Sequence, residues 1–186
     1  MTVLIETLRS EDVEALCRLA RETWLQHYPP IIGLAQTEYM LRQRYDPAVI
    51  RAELASGTSW WDVLRDDGVL RAFAASFESE SSDALKLDKL YVHPAFHRRA
   101  FGERLVRHVC ARGLEFGYRR LILAVNKRND NAIAAYRKYG FEIVDAVVKE
   151  IGGGFVMDDY IMERQVSWEA EGGTRRSTGA TKDNAS

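Results

Sequence analysis

A mixed α/β domain is the fold class this chain predicts, with antiparallel hairpins on either side of one parallel crossover. Three observations carry that expectation. Strand-like runs come in pairs around the turn signals Asp67-Gly68 and Gly152-Gly153-Gly154. Between those pairs lie a strand, an amphipathic helix and a wholly apolar strand, the order of a right-handed parallel crossover. At 186 residues the chain can hold one core of ordinary domain size, so a single domain over residues 1–166 is expected.

Residues 3–8 read as the first strand, and Ser10-Glu11-Asp12 supply cap chemistry for a helix with Val13, Leu16, Leu19 and Ala20 on one side. Pro29-Pro30 and Gly33 break that helix. Two further helical pieces follow, one through Met40, Leu41 and Tyr45, the other from Pro47 through Ile50 to Leu54, and together they suggest a helical flap. Residues 58–64 and 69–77 form the first hairpin. The next strand, 85–92, carries apolar residues at 85 and 87 and then at 90 and 92, so its alternation changes parity around Asp88-Lys89. One extra residue, a β-bulge, would do that; alternatively Tyr91 simply continues the first face.

A helix over 102–116 places Leu105, Val106, Val109, Cys110 and Leu114 on one face and stops at Gly117. Residues 121–125 are apolar throughout, as in a strand buried on both faces. The last helix, 131–139, ends with Arg137, Lys138 and Gly140, and strands 141–151 and 155–164 complete an antiparallel edge. After that the composition shifts to Gly, Ser, Thr, Arg and Asp, so the tail 167–186 is expected to be disordered.

The bulk chemistry excludes several classes. A formal net charge of -1 lacks the basic surplus of a dedicated nucleic-acid binder, so no nucleic-acid partner is expected. Apolar runs fall short of the ~20 residues needed to cross a bilayer, and the N-terminus lacks a signal-peptide pattern; a cytoplasmic protein without a membrane partner follows. Cys17 and Cys110 read as buried free thiols. His27, His93, His97 and His108 make no short-spaced cluster with them, and no metal is expected.

The chemistry concentrates between Leu90 and Tyr136. Strand Leu90-Tyr91-Val92 feeds the loop His97-Arg98-Arg99-Ala100-Phe101-Gly102, which opens a helix whose next residue is Glu103. Such a loop offers unpaired N–H groups and a positive helix end to phosphate, with two arginines beside it. In isolation Arg98-Arg99 would be a solvated pair, Asn129 a helix cap and Tyr136 a core residue. Ala132 and Tyr136 lie four apart and so share a helix face, the small Ala132 leaving room beside the phenol.

Leu90-Tyr91-Val92, the loop to Gly102, and Asn129-x-x-Ala132-x-x-x-Tyr136-x-x-x-Gly140-Phe141 together resemble the GNAT family of N-acetyltransferases, particularly bacterial members acting on small amines. The resemblance implies a mostly antiparallel sheet whose central parallel strands splay, with helices on both faces. It implies acetyl-CoA as co-substrate, bound by the backbone of Leu90, Tyr91 and Val92, by the loop Arg98, Arg99, Ala100, Phe101, Gly102 and Glu103, and by Asn129. Tyr136 would then donate a proton to the departing CoA thiolate. The family's loop has Gln or Arg where this chain has His97 and Gly where it has Ala100. The Cβ of Ala100 matters only if φ must be positive or phosphate approaches very closely.

What the resemblance implies chemically is direct attack of a neutral amine on the thioester, without a covalent enzyme intermediate. A thiol titrates near 8.5 and a phenol near 10, so Tyr136 is protonated when the thiolate forms. Glu78, Asp88, Asp158, Asp159 and Tyr160 are candidates for the base that frees the amine, with Asp88 preferred because it sits at the suspected bulge. Trp24, His27, Tyr28, Trp61 and Phe155 are candidate linings of the acceptor site, although large aromatics more often fill cores. The expected acceptor is a small primary amine or polyamine. The alternatives are a protein N-terminal or lysine amine, or a sensor that binds acyl-CoA without turnover. A homodimer is a family-level possibility.

Overall fold

The computed structural model describes residues 2–167. Of the expected tail, Ser167 falls within that range and the rest lies outside it. The chain runs β1 (Val3–Thr7), α1 (Val13–His27), α2 (Pro29–Ile32), α3 (Leu34–Arg44), α4 (Pro47–Ser56), β2 (Ser59–Asp66), β3 (Val69–Glu78), β4 (Ala84–Val92), α5 (Phe101–Glu115), β5 (Arg120–Asn126), α6 (Asp130–Lys138), β6 (Glu142–Gly152) and β7 (Phe155–Gln165). The strands make one sheet in the order β1-β2-β3-β4-β5-β7-β6. The β4–β5 pair is parallel and the other neighbours are antiparallel.

Alternation along the strands divides the interior into two cores. Trp61, Val63, Phe73 and Ala75 pack with Leu16, Trp24, Met40 and Ile50 from the early helices. Leu64, Ala74, Leu85, Leu121 and Leu123 pack with Leu105, Val109 and Leu114 from α5 on the opposite face. The adjacent Trp60 and Trp61 therefore face opposite ways, Trp61 into the first core and Trp60 against the second.

Local chemistry sets the connections. Asp67 and Gly68 both take positive φ, +48° and +81°, the two-residue turn whose twist suits a hairpin. Asp46 caps α4 by accepting from the Ala48 N–H at 2.8 Å, with Pro47 at the first helical position. The parity change in β4 is a bulge: Ala75 opposes Lys89 while Ser76 opposes Leu87, and Asp88 is the residue left over.

Helix α5 is fixed to the sheet through one buried carboxylate. Asp62 on β2 is fully buried and accepts two hydrogen bonds from Arg112, at 2.6 and 2.5 Å, with His108 Nε2 3.2 Å from the same group. Burial pushes the Asp62 carboxyl up, but hydrogen bonds from His108 and Arg112 outweigh it and hold the group below the usual carboxylate range. The N-terminus of α5 enters through a strained turn, in which Arg98 and Ala100 have φ of +66° and +57°.

Two outcomes follow. Asp62→Asn leaves Arg112 buried without its anion, and chemical denaturation should read a loss of roughly 3 kcal/mol at neutral pH. Because the folded-state carboxyl titrates below its unfolded value, this contribution is complete above about pH 4 and fades as pH falls through the lowered value, so the gap between variant and parent narrows in acid. At Ala100 the left-handed backbone costs an L-residue roughly 1–2 kcal/mol, against about 0.5–1 kcal/mol of extra chain entropy for glycine. Ala100→Gly should therefore raise the free energy of unfolding, read by chemical denaturation, by about 0.5–1 kcal/mol, and Ala100→Val should lower it.

Candidate active site

The parallel strands pair only briefly before they part. Ala84, Leu85 and Lys86 lie opposite Arg120, Leu121 and Ile122, and the recorded ladder ends there, two residues before the Asp88 bulge. The His93 N–H donates to the Arg71 carbonyl on β3 at 2.8 Å. Alternation along an antiparallel ladder then turns the amides of Leu90 and Val92 away from β3, into the parting. Val92 already uses its carbonyl on that side, where it accepts from His97 Nε2 at 3.1 Å.

Beyond the parting stands the loop that opens α5. Arg98 is exposed. Arg99 turns back to β2, where it pairs with Asp66 at 2.5 Å and lies 5.0 Å from the Phe101 ring centroid. The expected pair of phosphate-facing arginines is thus divided, with Arg99 holding the loop to the sheet. Phe101 is buried against Phe96, their centroids 6.2 Å apart. A Cβ on Gly102 would stand 3.1 Å from the Tyr139 hydroxyl, so glycine lets α6 close on α5. Glu103 is engaged by Arg107, 3.1 Å away, which offsets the repulsion its carboxylate would exert on a phosphate.

Tyr136 packs with Leu90, Val92 and Ala132 around the α5-side core, yet its charge is coupled to that of Tyr28, which belongs to the opposite layer. Burial, with smaller effects from Tyr28 and Tyr139, pushes its phenol well above the ordinary range, so it stays protonated throughout neutral pH. Tyr28 and Tyr91 meet beside it, their hydroxyl oxygens 3.3 Å apart.

Asn129 lies at the same mouth and is buried. Its side-chain oxygen accepts from the Ala132 N–H at 3.3 Å, which makes it the α6 cap, and from His27 Nε2 at 3.1 Å. The oxygen of the amide is thus committed to the fold. His27, at the end of α1, joins the two helical layers through this contact, and Arg128 adds a hydrogen bond to the Pro30 carbonyl at 3.4 Å.

The five candidate bases have distinct surroundings. Asp88 accepts from Arg44 at 2.6 Å and from Lys89 at 2.7 Å. Burial raises its carboxyl, but Lys89 and Arg44 outweigh that and hold it down to about 2. A carboxylate held so low by two cations is a weak proton acceptor, and the preference for Asp88 as base meets that objection. Asp158 pairs with Lys127, whose ammonium also lies over the Tyr160 ring. Glu78 accepts from Tyr118. Asp159 is 4% exposed, and its Oδ1 has no hydrogen-bond partner among the described residues. Burial, with Asp158 adding to it, pushes its carboxyl up to about 6.

Of the candidate lining residues, Trp24 is packed between Tyr28 and Tyr45, and Trp61 is fully buried under Lys89. Tyr28 meets Tyr91, His27 binds Asn129, and Phe155 packs against Tyr39 with ring centroids 5.2 Å apart. Sequence reasoning missed Arg44, which has no local signal because its partner lies 44 residues away. It also missed the ties that hold α3 against the β6–β7 hairpin. Gln36 Nε2 donates to the Val156 carbonyl at 2.8 Å, and the Tyr39 hydroxyl to the Ile151 carbonyl at 2.9 Å. Among the described residues there is no cluster of metal-ligating side chains and no helix long and apolar enough to cross a membrane.

Comparisons with known proteins point the same way as the geometry. A spermidine N(1)-acetyltransferase from Thermoplasma acidophilum is 27% identical over 164 residues, spanning 85% of this chain and 97% of the relative. The peptidyl-lysine N-acetyltransferase YiaC of Escherichia coli is 33% identical over 99 residues, 53% of this chain and 60% of its own length. The crystal structure of the PaiA N-acetyltransferase from Thermoplasma acidophilum in complex with coenzyme A superposes with a TM-score of 0.76 at 23% identity, covering 89% of this chain and 99% of that one. Residues 13–141 match the model of the acetyltransferase (GNAT) family. The chain belongs to that family and is an acetyl-CoA-dependent N-acetyltransferase.

Proposed function

We propose that the acceptor is the primary amine of a small polyamine-like molecule, acetylated by direct attack within a ternary complex. The observation that carries this reading is the roof over the acceptor side of the parting. Gln36 and Tyr39 tie α3 to the β6–β7 hairpin, and an approach bridged in this way favours a small amine over a polypeptide that needs an open groove. The similarity to a spermidine acetyltransferase supports the same acceptor class.

In this reading the acetyl-CoA arm follows the freed amides of Leu90 and Val92, and its diphosphate meets the N-terminus of α5. The Val92 N–H polarises the thioester carbonyl. An alkylamine that titrates near 10.4 is neutral in only about one part in a few thousand at pH 7, a handicap of roughly 4–5 kcal/mol, so its proton must be removed on the enzyme. As the C–N bond forms and the C–S bond breaks, Tyr136 supplies the proton to sulfur. Its raised titration keeps the phenol protonated at neutral pH, and because a free phenolate would be a stronger base than the thiolate, the proton passes to sulfur only as the attacking nitrogen's second proton replaces it.

A panel of polyamines, monoamines and lysine-containing peptides, scored by CoA thiol release, tests the acceptor class. Polyamines are expected to show kcat/KM at least about tenfold above the peptides, and a preference for peptides would overturn the assignment. Tyr136→Phe is expected to lower kcat about 100-fold while KM for acetyl-CoA stays within about threefold, because the hydroxyl acts after binding. A rise in KM with kcat unchanged would make Tyr136 a binding residue.

A further inference from the structure

We propose that Asp159 is the base that takes a proton from the acceptor's ammonium group at the β4–β5 parting; this rests on the acetyl-transfer reading above. Asp159 sits on β7 opposite Asn126, the last residue of β5, at the end of the strand where β4 has already departed. The register shifts between β6 and β7 place their extra residues on β6, so β7 alternates regularly and Phe155, Met157 and Asp159 face one side of the sheet. That side is the early-helix layer, where Phe155 meets Tyr39 and Met157 packs with the first core. Tyr160 and Met162 face the other way, into the α5-side core.

A carboxylate oxygen buried without a donor is costly and calls for a partner that the described residues do not supply. An incoming ammonium group is such a partner. The charged and titratable groups around Asp159 come from every neighbouring element: Tyr28 from α1, Arg44 from α3, Lys86 from β4, Lys127 after β5, and Asp158 beside it. Arg44 is already bound to Asp88 and Lys127 to Asp158, while Lys86 lies over the Phe77 ring, so none of these cations is shown in contact with Asp159. Titration at about 6 keeps it ionised at pH 7 yet able to hold a proton briefly.

The protons balance. Asp159 takes one from the ammonium, and the nitrogen lone pair then forms the C–N bond. As the C–S electrons pass to sulfur, Tyr136 protonates it, and the second nitrogen proton restores the phenol. Asp159 releases its proton to water, so ammonium and acetyl-CoA give amide, CoA thiol and one proton. Transfer within a buried pair leaves two neutral groups, which burial favours.

The decisive experiment compares the full-length enzyme with Asp159→Asn, using spermidine as acceptor and acetyl-CoA binding by calorimetry as a control for folding. Acetyl-CoA affinity is expected to stay within about threefold, while kcat/KM for spermidine falls at least ~100-fold at pH 7.5. The parent enzyme is expected to show an acid limb near pH 6, and that limb should vanish from the variant's profile. Asp159→Glu should restore part of the rate with a displaced limb, an outcome a merely structural residue would not produce. If the asparagine variant does not bind acetyl-CoA, the glutamate variant decides: a displaced limb supports the assignment and an unmoved one overturns it. An asparagine variant within about threefold of the parent and with the acid limb intact would sink the base assignment while leaving acetyl transfer standing. Failure of the parent enzyme to acetylate any amine would sink both.

Discussion

The separation of β4 from β5 is the constraint on which the rest of this molecule depends. Two parallel strands that stayed paired would bury their amides in each other and leave nothing to offer a thioester. Here the recorded ladder covers three residue pairs and is followed by the bulge at Asp88. A bulge alone would leave a carboxylate stranded in the sheet. Arg44 and Lys89 prevent that, and Lys89 in turn lies 4.6 Å above the Trp61 ring and 3.8 Å from Glu53. The irregularity is therefore anchored from α3, from the strand itself and from the first core.

A parted sheet also lets its two faces communicate. Elsewhere the backbone separates the α1–α4 layer from the α5–α6 layer, and their cores are distinct. At the parting, Tyr136 from one side comes under the influence of Tyr28 from the other, and His27 binds the Asn129 cap of α6. In the mechanism proposed above, acetyl donor and amine acceptor would approach from opposite layers and meet where the sheet is interrupted, which would give direct transfer its proximity.

Electrostatics then separate carboxylates that look alike in the sequence. Asp88 and Asp159 both lie near the parting and both are largely buried. Burial pushes each upward, but two cations in contact reverse the outcome for Asp88, whereas near Asp159 Arg44 and Lys127 are bound to other carboxylates and burial prevails. The same logic distinguishes the loop arginines, since Arg99 is drawn to Asp66 while Arg98 remains at the surface.

The sequence by itself determined what short-range physics governs. Apolar periodicity marked the strands and helices, Asp67-Gly68 and the triple glycine marked the hairpin turns, and the parity change between Leu87 and Leu90 pointed to a bulge around Asp88-Lys89, where the structure has Asp88 unpaired with β3. The motif from Leu90 through Tyr136 carried the family. Tertiary structure decided what depends on distant partners: the positive φ at Ala100, the capture of Arg99 by β2, and the roof that Gln36 and Tyr39 make with the β6–β7 hairpin. It also decided which acid is silenced and which is left poised. Periodicity is written in neighbouring residues, but a carboxylate's affinity for protons is set by desolvation and by charges that the fold brings from far along the chain.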